Sequence, residues 1–115
     1  MNSVYIPAYK NKKIDKDKII PTDKIFSVVQ EYYGLSKEVL MSKTRKASVL
    51  YPRQVCIWLL CKHSCHSLPG ISVFFGFRDH SSATNAVQSI DNYLATDEKV
   101  KEQVDYLEKK LKGCQ

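Results

Sequence analysis

The chain has 115 residues, of which 43% are hydrophobic and 26% charged, with a formal net charge of +6. That size suits one domain that buries a core without help from metal or disulfides. No apolar run approaches the ~18 residues of a membrane-spanning helix and Met1 opens no signal-peptide pattern, so a membrane protein is excluded and a cytoplasmic one expected.

Residues 1–20 carry five lysines, Pro7 and little apolar periodicity, which predicts a flexible basic tail ahead of a domain over 21–115. Residues 4–9 are its one stretch apolar enough to dock. Thr22 or Asp23 is expected to cap a first helix in which Ile25, Val28, Val29 and Tyr32 recur at helical spacing. Gly34 ends it. Ser36 then caps a short helix bearing Val39, Leu40 and Met41.

Residues 42–51 lack both helical period and acidic residues, and read as a basic loop. Pro52 suits the first turn of the helix that follows, because its missing N–H is not needed there. Through Val55, Cys56, Ile57, Trp58, Leu59 and Leu60 this helix is apolar nearly all round, so it is expected to be the central, buried one. Ser67 caps a short fourth helix with Pro69 in its first turn and Ile71, Phe74 and Phe75 facing inward, and Gly76 breaks it. Asp79 opens a fifth helix with the stripe Ala83, Ala86, Val87, Ile90, Tyr93 and Leu94. A sixth, from about Asp97, repeats Val100, Val104, Leu107 and Leu111. The prediction is an all-α fold of about six helices, without strands or internal repeats.

The charge is unevenly spread. Residues 1–53 hold nine lysines and two arginines against five acids, giving +6; residues 54–115 hold six lysines and one arginine against seven acids, giving zero. The excess gathers at residues 10–18 and 43–53. Clustered cations suit a polyanion, since neutralised phosphates release counterions. The short helix, the turn at Gly76 and the longer helix have helix-turn-helix spacing, in which the first helix braces the second and the second's amino-terminal residues face base edges. Those residues are Asp79, His80, Ser81 and Ser82.

Other chemistries find little support. Cys61, His63, Cys65 and His66 invite a zinc reading, but zinc sites of this type need a second ligand pair elsewhere and none is present, so no metal is expected. Cys56 and Cys61 read as small buried hydrophobes. Asp79 and His80 are neighbours on a helix and point apart, and no nucleophile accompanies them, so no enzyme is expected.

Residues 67–80, Ser-Leu-Pro-Gly-Ile-Ser-Val-Phe-Phe-Gly-Phe-Arg-Asp-His, resemble the core of the C-terminal domain of the bacterial replication initiator family DnaA, whose usual text is Ser-Leu-x-x-Ile-Gly-x-x-Phe-Gly-x-Arg-Asp-His followed by two Ser or Thr. Leu40-Met41-Ser42-Lys43-Thr44-Arg45 is similar to the family's basic loop, Tyr51-Pro52-Arg53-Gln54-Val55 to the start of its central helix, and Glu31-Tyr32-Tyr33-Gly34-Leu35 to its first helix. The likeness is co-linear over roughly residues 22–111. It implies that Arg45 enters the minor groove, that Asp79, His80, Ser81 and Ser82 meet bases in the major groove, and that Pro69 approaches a thymine methyl. It further implies that Lys43, Lys46, Arg53, Gln54 and Arg78 hold phosphates, which position without specifying. A monomer reading an asymmetric double-stranded site is the implied state.

The chain also departs from the family text. Ser72 stands where the family usually has Gly, Ser81 and Ser82 where threonines are common, and Ala47 where the loop often has another arginine. Ala83, Thr84 and Asn85 replace a larger apolar pair and a histidine, which makes the recognition helix slimmer and more polar. None of the glycines 34, 70, 76 and 113 lies in a Gly-x-x-x-x-Gly-Lys-[Ser/Thr] phosphate loop, so neither nucleotide nor other cofactor is expected to bind these residues. The competing reading is a protein-interaction module with a DnaA-like fold that has lost specific DNA reading.

Overall fold

The computed structural model describes residues 19–64, 66–77 and 81–112. These form six helices and no strand: α1 (Thr22–Tyr33), α2 (Lys37–Leu40), α3 (Ala47–His63), α4 (Leu68–Phe75), α5 (Ser81–Thr96) and α6 (Glu98–Leu111). The all-α expectation holds among the described residues. None of these helices is long and apolar enough to cross a membrane.

The hub is α3. Seven consecutive residues from Val55 to Cys61 are buried, which a helix tolerates only when neighbours cover its whole circumference. Helices α1, α2, α4 and α5 all pack on it, and α6 closes the assembly against α1 and α5. Ile25, Phe26 and Val29 of α1, Ile71 and Phe75 of α4, Ala83, Ala86, Val87 and Ile90 of α5, and Val100, Val104, Leu107 and Leu111 of α6 complete one core. Polar ties hold the outer helices in register. Trp58 Nε1 donates to Asp91 Oδ1 at 2.8 Å, joining α3 to α5. Tyr33 and Tyr51 both donate to Gln103 Oε1 at 3.1 Å, joining α1 and α3 to α6.

Helix ends follow local chemistry. Ser36 Oγ accepts from Val39 N–H and Asp97 Oδ1 from Lys99 N–H, as N-cap side chains do. Ser67 Oγ likewise accepts from Gly70 N–H at 3.4 Å. Gly34 and Gly76 close α1 and α4 at φ 68° and 74°, the left-handed region where a side chain is strained.

Several expectations need correction. The cap of α1 is Pro21 rather than Thr22 or Asp23; its carbonyl accepts from Lys24 and Ile25, which leaves Thr22 Oγ1 hydrogen-bonded to His66 Nε2 at 3.0 Å. Helix α3 starts at Ala47, so the basic loop is shorter than 42–51 and Pro52 sits in the second turn, not the first. The proline deprives only the Ser48 carbonyl of its usual donor, and Ser48 is exposed, which makes that loss cheap. Phe74, Tyr32 and Tyr93 are exposed rather than core residues: Phe74 meets Phe26 and Tyr32 meets Tyr106 at a tilt, and Tyr93 meets Tyr51 edge to face. Of the expected tail, residues 1–18 lie outside the described residues, and Ile20 is buried with its N–H on the His63 carbonyl at 2.9 Å.

Ser72, the residue that replaces the family's usual glycine, is buried, and its hydroxyl has no hydrogen-bond partner among the described residues. Cys56 is fully buried, which pushes its thiol well above the ordinary value and removes it as a nucleophile. His63 Nε2 donates to Glu108 Oε2 at 2.6 Å, and Cys61 is buried; Cys65, the remaining cysteine of that sequence cluster, lies outside the described residues.

Candidate nucleic-acid interface

Three elements converge on one open cleft. The loop between α2 and α3 brings Lys43 and Arg45, α3 brings Arg53, Gln54 and Ile57, and the turn after α4 and the start of α5 bring Gly76, Phe77, Ser81, Ser82 and Asn85. The path is set locally. Gly76 N–H and Phe77 N–H return to the Val73 and Ser72 carbonyls, which turns the chain sharply out of α4 and swings the start of α5 toward the loop. Ala83, Ala86, Val87 and Ile90 then dock α5 on the core, so Ser81, Ser82 and Asn85 are left on its outer face.

The loop itself is held from below. Arg53 is only 6% exposed. Its Nε donates to the Leu40 carbonyl at 2.9 Å and its Nη2 to the Thr44 carbonyl at 2.7 Å. Leu40 is the last residue of α2, where carbonyls lack intrahelical donors, and Thr44 immediately precedes Arg45. One guanidinium therefore ties off a helix end and sets the base of the arginine that projects from the loop. Thr44 Oγ1 adds a bond from Lys46 N–H, and Ser42 Oγ donates to the Val39 carbonyl.

The cleft is electropositive. Burial and then the charge of Arg45 pull the Arg53 guanidinium below its ordinary value, which shows the two cations close enough to repel. Among the described residues no carboxylate forms an ion pair with Lys43, Arg45 or Arg53. An arriving anion relieves that repulsion.

Of the residues singled out from sequence, Lys43, Arg45, Arg53, Gln54, Ser81 and Ser82 share this cleft. Lys46 and Pro69 are exposed but do not line it. Arg78, Asp79 and His80 lie outside the described residues. Asn85 was not anticipated as a site residue, although its spacing of four from Ser81 and three from Ser82 puts all three on one helical face. Among the described residues, no group of three or more His, Cys, Asp and Glu is arranged to hold a metal.

Residues 22–90 match the family described as the bacterial dnaA protein helix-turn-helix. The chain belongs to this family. The chromosomal replication initiator protein DnaA of Flavobacterium psychrophilum is 38% identical over 92 residues, covering 80% of this chain and 19% of that protein. DnaA of Caulobacter vibrioides is 35% identical over 97 residues, covering 84% of this chain and 20% of its own length. A solved structure described as that of a DNA replication initiation factor superposes with a TM-score of 0.64 at 26% identity, over 78% of this chain and 28% of that one. The chain thus spans about a fifth of the length of these DnaA relatives. Its matched residues are those of the helix-turn-helix unit.

Proposed function

We propose that this DnaA-type domain binds double-stranded DNA sequence-specifically, in replication or its regulation, by gripping two adjacent grooves. The amino end of the recognition helix, Asp79, His80, Ser81 and Ser82, meets base edges in the major groove, with Pro69 against a thymine methyl. Arg45 enters the neighbouring minor groove, where a narrow A·T-rich stretch concentrates negative potential. Lys43, Lys46, Gln54 and Arg78 hold phosphates, and Arg53 joins them while bracing the loop. The domain acts as a monomer on an asymmetric site, without nucleotide or other cofactor, and does no catalysis.

The observation that carries this reading is the shared cleft: Arg45 and the start of α5 lie on one side of the molecule, facing the same open space. A protein-interaction module would have no need to collect three cations, none in an ion pair among the described residues, opposite a polar helix start.

Fluorescence anisotropy with duplexes selected from a random-sequence pool tests it. One motif is expected to be enriched, and log affinity to fall with log salt at a slope of about −3 to −4, from roughly 0.9 per phosphate neutralised by four cations. Arg45→Ala is expected to weaken binding and relax choice only at the minor-groove positions. A chain that enriches no motif and ignores salt is not a DNA reader, and the protein-interaction reading then stands.

A further inference from the structure

Asn85 carries chemistry that the grip described above does not use. It is exposed, it lines the cleft, and it lies one turn beyond Ser81 on the outer face of α5. The outer face of the helix is narrow here: Ser81 and Ser82 both have short side chains, while Ala83 is turned into the core. A helix with short side chains on its groove-facing side sits deeper between the strands, so a residue in its second turn still reaches base edges.

A carboxamide holds one donor and one acceptor in a plane, and only a partner offering the reverse pair satisfies both. Adenine does so in the major groove, with N6–H2 donating and N7 accepting. A phosphate offers acceptors alone and would leave the Asn85 carbonyl unmatched. Lys43 and Arg53 already supply the charge for phosphates in this cleft, and Asn85 adds none. We infer that Asn85 is a specificity-determining residue whose carboxamide reads one adenine in the major groove, extending the recognised site beyond the pairs met by the first turn of α5. Four residues of helix advance about 6 Å, so this adenine lies one to two base-pair steps from the pair facing Ser81. The inference rests on the DNA-binding reading proposed above.

The test uses the full chain and its Asn85→Ala and Ser81→Ala variants. Each is put through selection from the same random duplex pool, and the wild-type motif is then titrated with its adenine replaced by each other base. Wild type is expected to select an adenine one or two steps from the position that Ser81→Ala relaxes, and to lose about 5- to 150-fold in affinity when that adenine is replaced. Asn85→Ala is expected to show no preference at that one position and to keep the rest of the motif. Alanine is the better helix former on an exposed face, so an unchanged or higher melting temperature separates lost reading from lost folding. A uniform loss over all duplexes with the motif intact makes Asn85 a phosphate contact and overturns the inference, as does an unchanged motif at unchanged affinity. If wild type itself enriches no motif, the inference falls together with the DNA-binding reading, a result plainly different from either of the other two.

Discussion

Arg53 donates to the carbonyls of Leu40 and Thr44 from the two arms of a rigid fork, and so fixes the approach of Arg45 before any ligand arrives. Lysine keeps the charge but has a single flexible point of attachment and cannot span both carbonyls. Arg53→Lys is therefore expected to lower unfolding stability by about 1.5–3 kcal/mol, the range for hydrogen bonds to charged groups, and to reduce DNA affinity by more than the loss of one phosphate contact. Urea unfolding together with anisotropy titration checks both. If stability is unchanged and affinity alone falls, Arg53 serves only as a phosphate ligand and the loop does not depend on it. None of this was readable from the sequence, where the family resemblance implied only a phosphate-holding role for Arg53. The two carbonyls it serves come from a different helix end and a loop, and only tertiary folding brings them together.

Elements with a clean apolar period were legible in advance. Val100, Val104, Leu107 and Leu111 are spaced to form one stripe, and all four are buried. The start of α3 was not legible, because Pro52 normally marks a first turn and here the helix absorbs it in the second. The loop and the recognition helix could be named from their residues, whereas Asn85 needed the helical face to be known. The turns between elements can be probed directly. Gly34 and Gly76 share a left-handed conformation, and a Cβ at either would meet nothing within 4 Å. Alanine at each is therefore expected to cost the backbone term alone, roughly 1–2 kcal/mol, seen as a fall of roughly 4–15 °C in melting temperature for a domain of this size. DNA affinity separates the two. Gly34→Ala, in a turn that does not line the cleft, is expected to keep it, whereas Gly76→Ala, in one that does, is expected to lower it. Equal affinities for the two variants would mean that the α4–α5 angle does not govern binding.

Across the whole molecule, the cleft borders the first two-thirds of α3 and the ionic clamp sits at its carboxy-terminal end. Arg53 and His63 are ten residues apart, about 15 Å along the helix. At the far end Glu108 of α6 takes His63 Nε2 at 2.6 Å and Lys62 Nζ at 3.2 Å. Burial pushes the Glu108 carboxyl up, but the His63 hydrogen bond and the nearby Lys62 charge together outweigh it and hold the group below its usual 4.5. A carboxylate whose folded value is depressed binds its proton more readily in the unfolded chain. Its stabilisation is thus complete above the unfolded value and drains away as pH falls through the folded one. Glu108→Gln is expected to be less stable than wild type at pH 7, by about 1–2 kcal/mol for a lost charged hydrogen bond. The gap should narrow below pH 4.5 and close once wild-type Glu108 is itself protonated. Thermal melts of both proteins from pH 7 down to 3 measure the difference, and subtracting the two curves removes the other carboxylates. A gap that stays constant across that range would mean the pair contributes packing rather than charge. Because none of the clamp residues lines the cleft, the variant is expected to bind duplex DNA at pH 7 as wild type does, so that fold stability and DNA reading can be varied independently in one small domain.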